Sequence, residues 1–193
     1  MRVLARSWYK SVAILDEESL LATCAYIDLN PVAAGIAKVP ETSNHTSIKE
    51  RVDHVLAQGR RADLKAARKG GVAGSTASAG LEEALWLCPI EDRRRIDSCR
   101  EGMIEGFSLG SYLLLVDYSG RVFREGKATI SQEVAEIFER IGTTAETWRA
   151  RLEKLTKSRL LGRFLAASRQ RLREVAERLG LRMAVNLGSC LVT

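Results

Sequence analysis

Apolar residues recur every three to four positions along most of the chain, and this spacing restricts the fold more than any other feature. Such a pattern lines one side of an α-helix with side chains that a core can bury. The segment 108–123 could instead form a strand and a hairpin turn, but the spacing of Leu109, Leu113 and Val116 favours a helix. We therefore expect a mainly α-helical protein. The pattern predicts further helices over 16–30, 47–58, 81–87, 90–103, 130–141, 143–155 and 158–179.

The start of the chain departs from this helical pattern. Residues 8–15, with the sequence WYKSVAIL, are rich in aromatic and β-branched types and predict a strand. Asp16 then serves as the N-cap of the first helix, and the two glutamates after it favour the first turn. The pair Asn30 and Pro31 should end or kink that helix, because a residue before proline is pushed out of the α-helical region.

The composition is that of a globular protein with one flexible segment. The 193 residues are 46% apolar and include only three prolines, which excludes collagen-like and wholly disordered classes. Residues 58–80 are rich in Gly, Ala, Ser, Arg and Lys, and predict a flexible linker. The longest apolar run, residues 112–116, is too short to cross a membrane. The four cysteines form no C-x-x-C pair, which is typical of reduced thiols, so we expect a cytoplasmic protein with no membrane partner.

Positive charge is concentrated towards the end of the chain. The formal net charge is +6, and residues 149–182 alone hold eleven basic and three acidic residues. A basic segment of this kind favours a polyanionic partner, most often nucleic acid, although a solvated helix face is the simpler interpretation. Two helices around Gly142 could form a helix-turn-helix. The candidate DNA contacts in this region are Arg149, Arg151, Arg169, Arg171 and Arg173.

The first helix carries an unusual pair of polar residues. Tyr26 points away from the apolar side of that helix, and Asn30 follows four residues later on the same face. A phenol beside an amide oxygen could act as a nucleophile next to a divalent metal ion, for which the amide oxygen is a ligand. The simpler alternative is that Tyr26 packs under another element.

Three stretches resemble one enzyme family. They are Tyr9-Lys10-Ser11, the acidic helix start Asp16-Glu17-Glu18, and Tyr26-Ile27-Asp28-Leu29-Asn30-Pro31-Val32-Ala33-Ala34-Gly35. Together they resemble the single-tyrosine HUH transposases associated with REP palindromes, closely over residues 6 to about 50. Shorter stretches within 111–142 are similar to the helical extension of some members.

The resemblance implies DNA transposition through strand cleavage and a 5′-phosphotyrosine intermediate. Tyr26 would be the catalytic nucleophile and Asn30 a ligand of a divalent metal, Mg or Mn, while Lys10 would contact DNA. The expected partner is single-stranded hairpin DNA or the palindromic ends of an element, and both a monomer and a homodimer stay open. A phenol is a poor nucleophile at neutral pH, so this cleavage depends on the metal.

The chain departs from the family pattern at the metal site. Its two histidines, His45 and His54, follow the tyrosine, whereas the histidine pair of the family precedes it on a strand. We therefore expect a truncated transposase-like protein that binds DNA, does not hold the metal, and has uncertain enzymatic activity. The alternative is a non-catalytic helical module that binds DNA or another protein. The expected organisation is a remnant of the ferredoxin-like HUH domain over 1–57, a linker over 58–80 and a basic helical extension over 81–193.

Overall fold

The computed structural model describes residues 13–97, 101–125, 130–157, 165–166, 174 and 177–178. The described part is mainly α-helical, which confirms the predicted fold class. Its elements in chain order are β1 (Ala13–Ile14), α1 (Glu17–Ala33), a 3₁₀ turn (Pro40–Thr42), α2 (Ser47–Ala57), α3 (Arg61–Ala67), α4 (Gly71–Ser78), β2 (Glu91–Asp92), α5 (Arg94–Asp97), β3 (Ile104–Glu105), α6 (Leu109–Glu125), α7 (Gln132–Arg140), α8 (Ala145–Lys157) and β4 (Leu165–Ala166). Among the described helices, none has both the length and the apolar composition that crossing a membrane requires.

Helix α1 begins where the sequence predicts and ends later than predicted. The backbone N–H of Ser19 donates to Asp16 Oδ1 at 2.7 Å, so Asp16 is the N-cap. The helix then continues through Pro31 to Ala33, so Asn30 and Pro31 do not end it. A proline inside a helix removes one backbone hydrogen bond, but it does not prevent the next turn from forming.

A glycine cap ends α1 instead. The N–H of Ile36 donates to the carbonyl of Pro31 at 2.8 Å, and the N–H of Gly35 donates to that of Val32 at 3.1 Å. These two bonds form a Schellman motif, in which the residue after the C-cap has left-handed backbone geometry. Gly35 has φ +72°, which glycine adopts without strain.

Helix α6 is the centre of the core. It packs against α1, α3, α4, α7 and α8, while α1 also packs against α8. The indole N–H of Trp148 on α8 donates to Ser119 Oγ on α6 at 3.0 Å, and the Phe138 ring of α7 lies 6.1 Å from the indole. The described parts of segments 1–57 and 81–193 therefore share one core. Its largest buried apolar side chains include Leu21, Ile48, Val55, Leu81, Phe107, Leu109, Tyr112, Leu115, Trp148 and Leu152.

The segment predicted to be a flexible linker forms two packed helices. Within 58–80, α3 and α4 pack against each other and against α6. Leu64 and Ala67 of α3 are buried, and a Cβ atom on Gly110 of α6 would lie 2.3 Å from the carbonyl oxygen of Ala67. The absence of a side chain at Gly110 lets the two backbones meet. The prediction of a linker is therefore wrong here, because small residues allow close helix packing as well as flexibility.

The segment 81–107 is less helical than predicted. Residues 81–84 form turns, and the predicted helix over 90–103 is reduced to the four residues of α5 among the residues described there. The carboxylate of Glu82 accepts from the backbone N–H of Ile90 at 3.0 Å, and Arg51 Nη2 donates to the carbonyl of Cys88 at 2.9 Å. The chain then forms β2, which pairs in parallel with β3.

The second strand pair joins distant parts of the chain. β1 pairs in parallel with β4, with Ala13 opposite Leu165 and Ile14 opposite Ala166. Of the strand predicted over 8–15, residues 8–12 lie outside the described residues. The helix predicted over 158–179 is wrong at Leu165–Ala166, which form a strand, whereas Glu174, Glu177 and Arg178 are helical as predicted. The other residues of this range lie outside the described residues. Two-residue pairs do not define a ferredoxin-like sheet, so that remnant stays a prediction.

The helices on either side of Gly142 match their predictions closely. Ser131 caps α7 by accepting from the N–H of Val134 at 3.4 Å, and Gly142 follows its end with φ +69°. Helix α8 is capped by Thr144, whose Oγ1 accepts from the N–H of Thr147 at 3.2 Å.

Candidate nucleic-acid interface

Tyr26 and Asn30 lie on α1, one helical turn apart. The helix is continuous through both residues, so they share the face that their spacing predicts. Asn30 is exposed, while Tyr26 is half-buried and packs against the core. The structure therefore brings the two predicted site residues together on one helix, with the tyrosine ring also contributing to packing.

The described residues around this pair do not fit a metal centre. Within the described ranges, no three His, Cys, Asp or Glu side chains are grouped as metal ligands would be. His45 lies exposed in a loop, and the His54 ring lies 2.9 Å from the side-chain amide of Gln58 on α2. One amide oxygen from Asn30 is too few ligands for a divalent ion that prefers six oxygen ligands.

The carboxylate between Tyr26 and Asn30 in sequence has a structural role. Asp28 is buried and accepts from the hydroxyl of Tyr112 at 2.6 Å and from that of Ser47 at 2.9 Å. It also accepts from the backbone N–H of Ile48 at 3.3 Å. Asp28 thus caps the start of α2 from the neighbouring helix α1 and ties both to α6. The sequence offered no signal for this contact, because its partners are 19 to 84 residues away.

Two weak acids beside Asp28 are kept protonated by their surroundings. Burial, reinforced by the Asp28 carboxylate, raises the pKa of the Cys24 thiol to about 11. Burial also raises the pKa of Tyr112 well above its ordinary value, and Asp28 adds to this effect. These groups are unsuited to nucleophilic chemistry at neutral pH, since the reactive form of each is the anion.

Arg151, a predicted DNA contact, is an internal structural residue. It is 4% exposed, and its guanidinium donates to Ser19 Oγ and to Glu18 Oε2, the latter at 2.8 Å. Asp16 lies 3.9 Å away, at the start of the same helix. The prediction that Arg151 contacts DNA is wrong, because a buried and paired guanidinium cannot reach a phosphate.

Arg149 lies two residues earlier on α8 and is exposed. Its Nε lies 3.3 Å from the carboxylate of Glu153, one helical turn away. This arginine is accessible to DNA, but it would have to exchange its present partner for a phosphate. The remaining predicted contacts, Lys10, Arg169, Arg171 and Arg173, lie outside the described residues.

A second arginine is buried between α2 and the segment that follows α4. Arg51 is 1% exposed and forms an ion pair with Glu82. Together with the bonds to Cys88 and Ile90, this pair anchors the segment 82–90 on α2. Arg51 and Arg151 are thus two cations of the chain that are buried and have their partners inside the protein.

The exposed cations of α3 have a different environment. Arg61, Lys65 and Arg68 follow one another at four- and three-residue spacing and are exposed, as is Lys69. Their side chains make no ion pair with a described residue. The helical spacing of these charges is visible in the sequence, but the composition of residues 58–80 predicts a linker instead of a helix.

The comparisons with known proteins identify no relative. No family model, no curated protein and no solved structure matches this chain significantly.

Proposed function

We propose that this chain is a transposase-like protein of DNA processing that acts in the cytoplasm and binds DNA without cleaving it. The observation that carries the proposal is the placement of Tyr26 and Asn30. They lie one turn apart on a single helix, in the order of the resemblance, while the described residues contain no group of three or more His, Cys, Asp or Glu side chains that could complete a metal site. Strand cleavage by a phenol needs such a site, whereas binding does not.

The net charge of the chain supports a polyanionic partner. A formal charge of +6 attracts DNA at long range and favours binding through release of counterions. Single-stranded hairpin DNA is the form that the resemblance to REP-associated transposases implies.

The test uses the full chain and a fluorescently labelled single-stranded DNA hairpin. Fluorescence anisotropy should show binding that weakens steeply as salt increases. Denaturing gels after incubation with Mg or Mn should show no covalent adduct. An adduct that forms with the wild type and with Tyr118→Phe, but not with Tyr26→Phe, would contradict the proposal and make the chain an enzyme. Absence of binding at low salt would remove DNA processing altogether.

Protein interaction is a second candidate function, favoured by apolar side chains in and after α1. Ile27 and Val39 are exposed, and Ile36 is 81% exposed. Soluble proteins seldom expose large apolar side chains close together unless a partner covers them. Light scattering across a concentration series should then show association that Ile36→Ser weakens; a monomer at all concentrations would exclude self-association.

A further inference from the structure

Most exposed arginines outside α3 that the structure describes have an acidic partner. The pairs are Arg94 with Asp92, Arg95 with Glu105, Arg121 with Asp117 and Arg149 with Glu153. A paired cation contributes little net potential at the surface, because the field of the carboxylate cancels much of its own. Such residues raise the count of basic residues without creating an attractive surface for an anion.

The α3 surface, defined here as Arg61, Lys65, Arg68 and Lys69, lacks this cancellation. Residues 60–69 hold five Lys or Arg and one acidic residue, Asp63. Asp63 is already paired with Arg60, at 2.7 Å between Oδ2 and Nε. The four cations of the α3 surface are left with exposed side chains and without a carboxylate partner among the described residues.

The fold holds these cations on one side of a fixed helix. At 100° per residue, Arg61, Lys65 and Arg68 fall within about 60° around the helix axis. Leu64 and Ala67, whose mean direction lies about 100° around the axis from these cations, anchor α3 in the core. An array that is already ordered before binding loses less conformational entropy than one on a disordered segment.

The dimensions of the surface suit a nucleic-acid backbone. The seven steps along the chain from Arg61 to Arg68, the residue after the end of α3, rise about 10 Å. One DNA strand places a phosphate about every 3.4 Å along the helix axis, so the α3 surface covers about three phosphates. Beyond the α3 surface, the side chain of Glu133 lies against Gly70, where its Cγ would be 2.9 Å from a Cβ atom on the glycine.

We propose that the α3 surface binds the DNA phosphate backbone and is a principal nucleic-acid contact of this chain. The proposal rests on the DNA binding proposed above and assigns it to Arg61, Lys65, Arg68 and Lys69. Contacts of long cationic side chains to phosphates fix the position of DNA without reading its sequence. Binding through α3 should therefore be strongly dependent on salt and weakly dependent on base sequence.

The experiment compares two variants of the full chain with equal changes in net charge. The α3 variant carries Arg61→Gln, Lys65→Gln, Arg68→Gln and Lys69→Gln. The matched control carries Lys49→Gln, Arg94→Gln, Arg95→Gln and Arg121→Gln, at cations that already have carboxylate partners. Circular dichroism and thermal melts verify that both variants keep the wild-type fold.

Anisotropy titrations of the DNA hairpin over a salt series give the result. The α3 variant should lose at least ~10-fold in affinity at low salt, and its slope of log K against log salt should fall by about 2 to 4. The control variant should retain most of the wild-type affinity and most of the wild-type slope. Equal losses in the two variants would overturn the α3 assignment and leave only an effect of net charge.

Further arms separate this inference from the proposed function. If the wild type binds the hairpin and the α3 variant binds equally well, the α3 surface is excluded while DNA binding stands. If Arg169→Gln, Arg171→Gln and Arg173→Gln together abolish binding and the α3 variant does not, the contact belongs to that region. A wild type that binds vesicles of anionic lipid but not the hairpin would overturn both proposals.

Discussion

Helices α8 and α3 both carry closely spaced cations, yet the structure uses them in opposite ways. On α8, Arg151 is buried against the start of α1, and Arg149 pairs with a glutamate on its own helix. On α3, Arg61 and Lys65 are exposed and have no acidic partner among the described residues. The density of basic residues in a sequence therefore does not distinguish cations that stabilise a fold from cations that are free to bind a partner.

Substitution of Arg151 on α8 should have the largest effect on stability. Arg151→Met should lower the free energy of unfolding by about 3–5 kcal/mol, because it leaves the partly buried Glu18 carboxylate without its cation. Urea unfolding followed by circular dichroism measures the change. Arg149→Met, two residues away on the same helix, should cost less than about 1 kcal/mol, as expected for an exposed ion pair.

Equal effects at the two positions would contradict this distinction. Glu18→Gln provides a second way to test it, because the amide keeps the shape of the side chain and removes only its charge. It should destabilise less than Arg151→Met, since Thr143 can still donate to the side-chain oxygen.

Asp28 extends the comparison to an acidic residue with internal partners. Asp28→Ala should cost about 2–4 kcal/mol, because the Tyr112 hydroxyl and the Ile48 N–H lose their acceptor inside the protein. Tyr112→Phe removes one of the donors and should cost less. The double variant should be less destabilised than the sum of the two, since the residues are in contact. Strict additivity in urea unfolding would contradict a shared network.

The groups beside Asp28 also make the free energy of unfolding depend on pH in the alkaline range. The thiol of Cys24 has a pKa of about 11 in the folded protein, above its ordinary value of 9.0. Between these values the unfolded chain loses its proton first, so stability is complete below about pH 9 and falls as pH rises towards 11. The loss from this group is on the order of 2 kcal/mol.

Unfolding curves at a series of alkaline pH values test this dependence. Cys24→Ala should remove part of the loss of stability at alkaline pH. Tyr112→Phe should remove another part, because burial also raises the pKa of the Tyr112 hydroxyl. An unchanged pH profile in Cys24→Ala would show that the thiol does not contribute. Cys88, which is exposed, serves as the control position for substitution by alanine.

Local patterns predicted much of the fold. The N-cap at Asp16, the glycine end of α7 and the helix over 108–123 all follow from residues within a few positions of each other, and the structure confirms them. The end of α1 is not predicted correctly, because the preference of a residue before proline for a non-helical backbone does not end the helix. The glycine cap at Gly35 ends it instead.

Contacts between distant residues could not be predicted in this way. Arg151 meets Glu18 across 133 positions, and Tyr112 meets Asp28 across 84. A single sequence holds no record of such pairs. It therefore predicts a DNA contact at Arg151 and no structural role for Asp28. Trp86 is 74% exposed, and the segment around it is held by the ion pair of Arg51 and Glu82 instead of by an aromatic anchor.

The smallest expected effect is also the sharpest test of the difference between paired and free cations. Lys65 lies one turn from Arg61 and three residues before Arg68, so it experiences repulsion from both. Lys65→Gln should stabilise the fold by about 0.2–0.5 kcal/mol at low salt, and the gain should vanish at high salt. Lys49→Gln on α2 should have the opposite sign, because Lys49 pairs with Asp53 one turn away. If both substitutions destabilised the protein, the cations of α3 would have partners after all, and their availability to a phosphate backbone would be excluded.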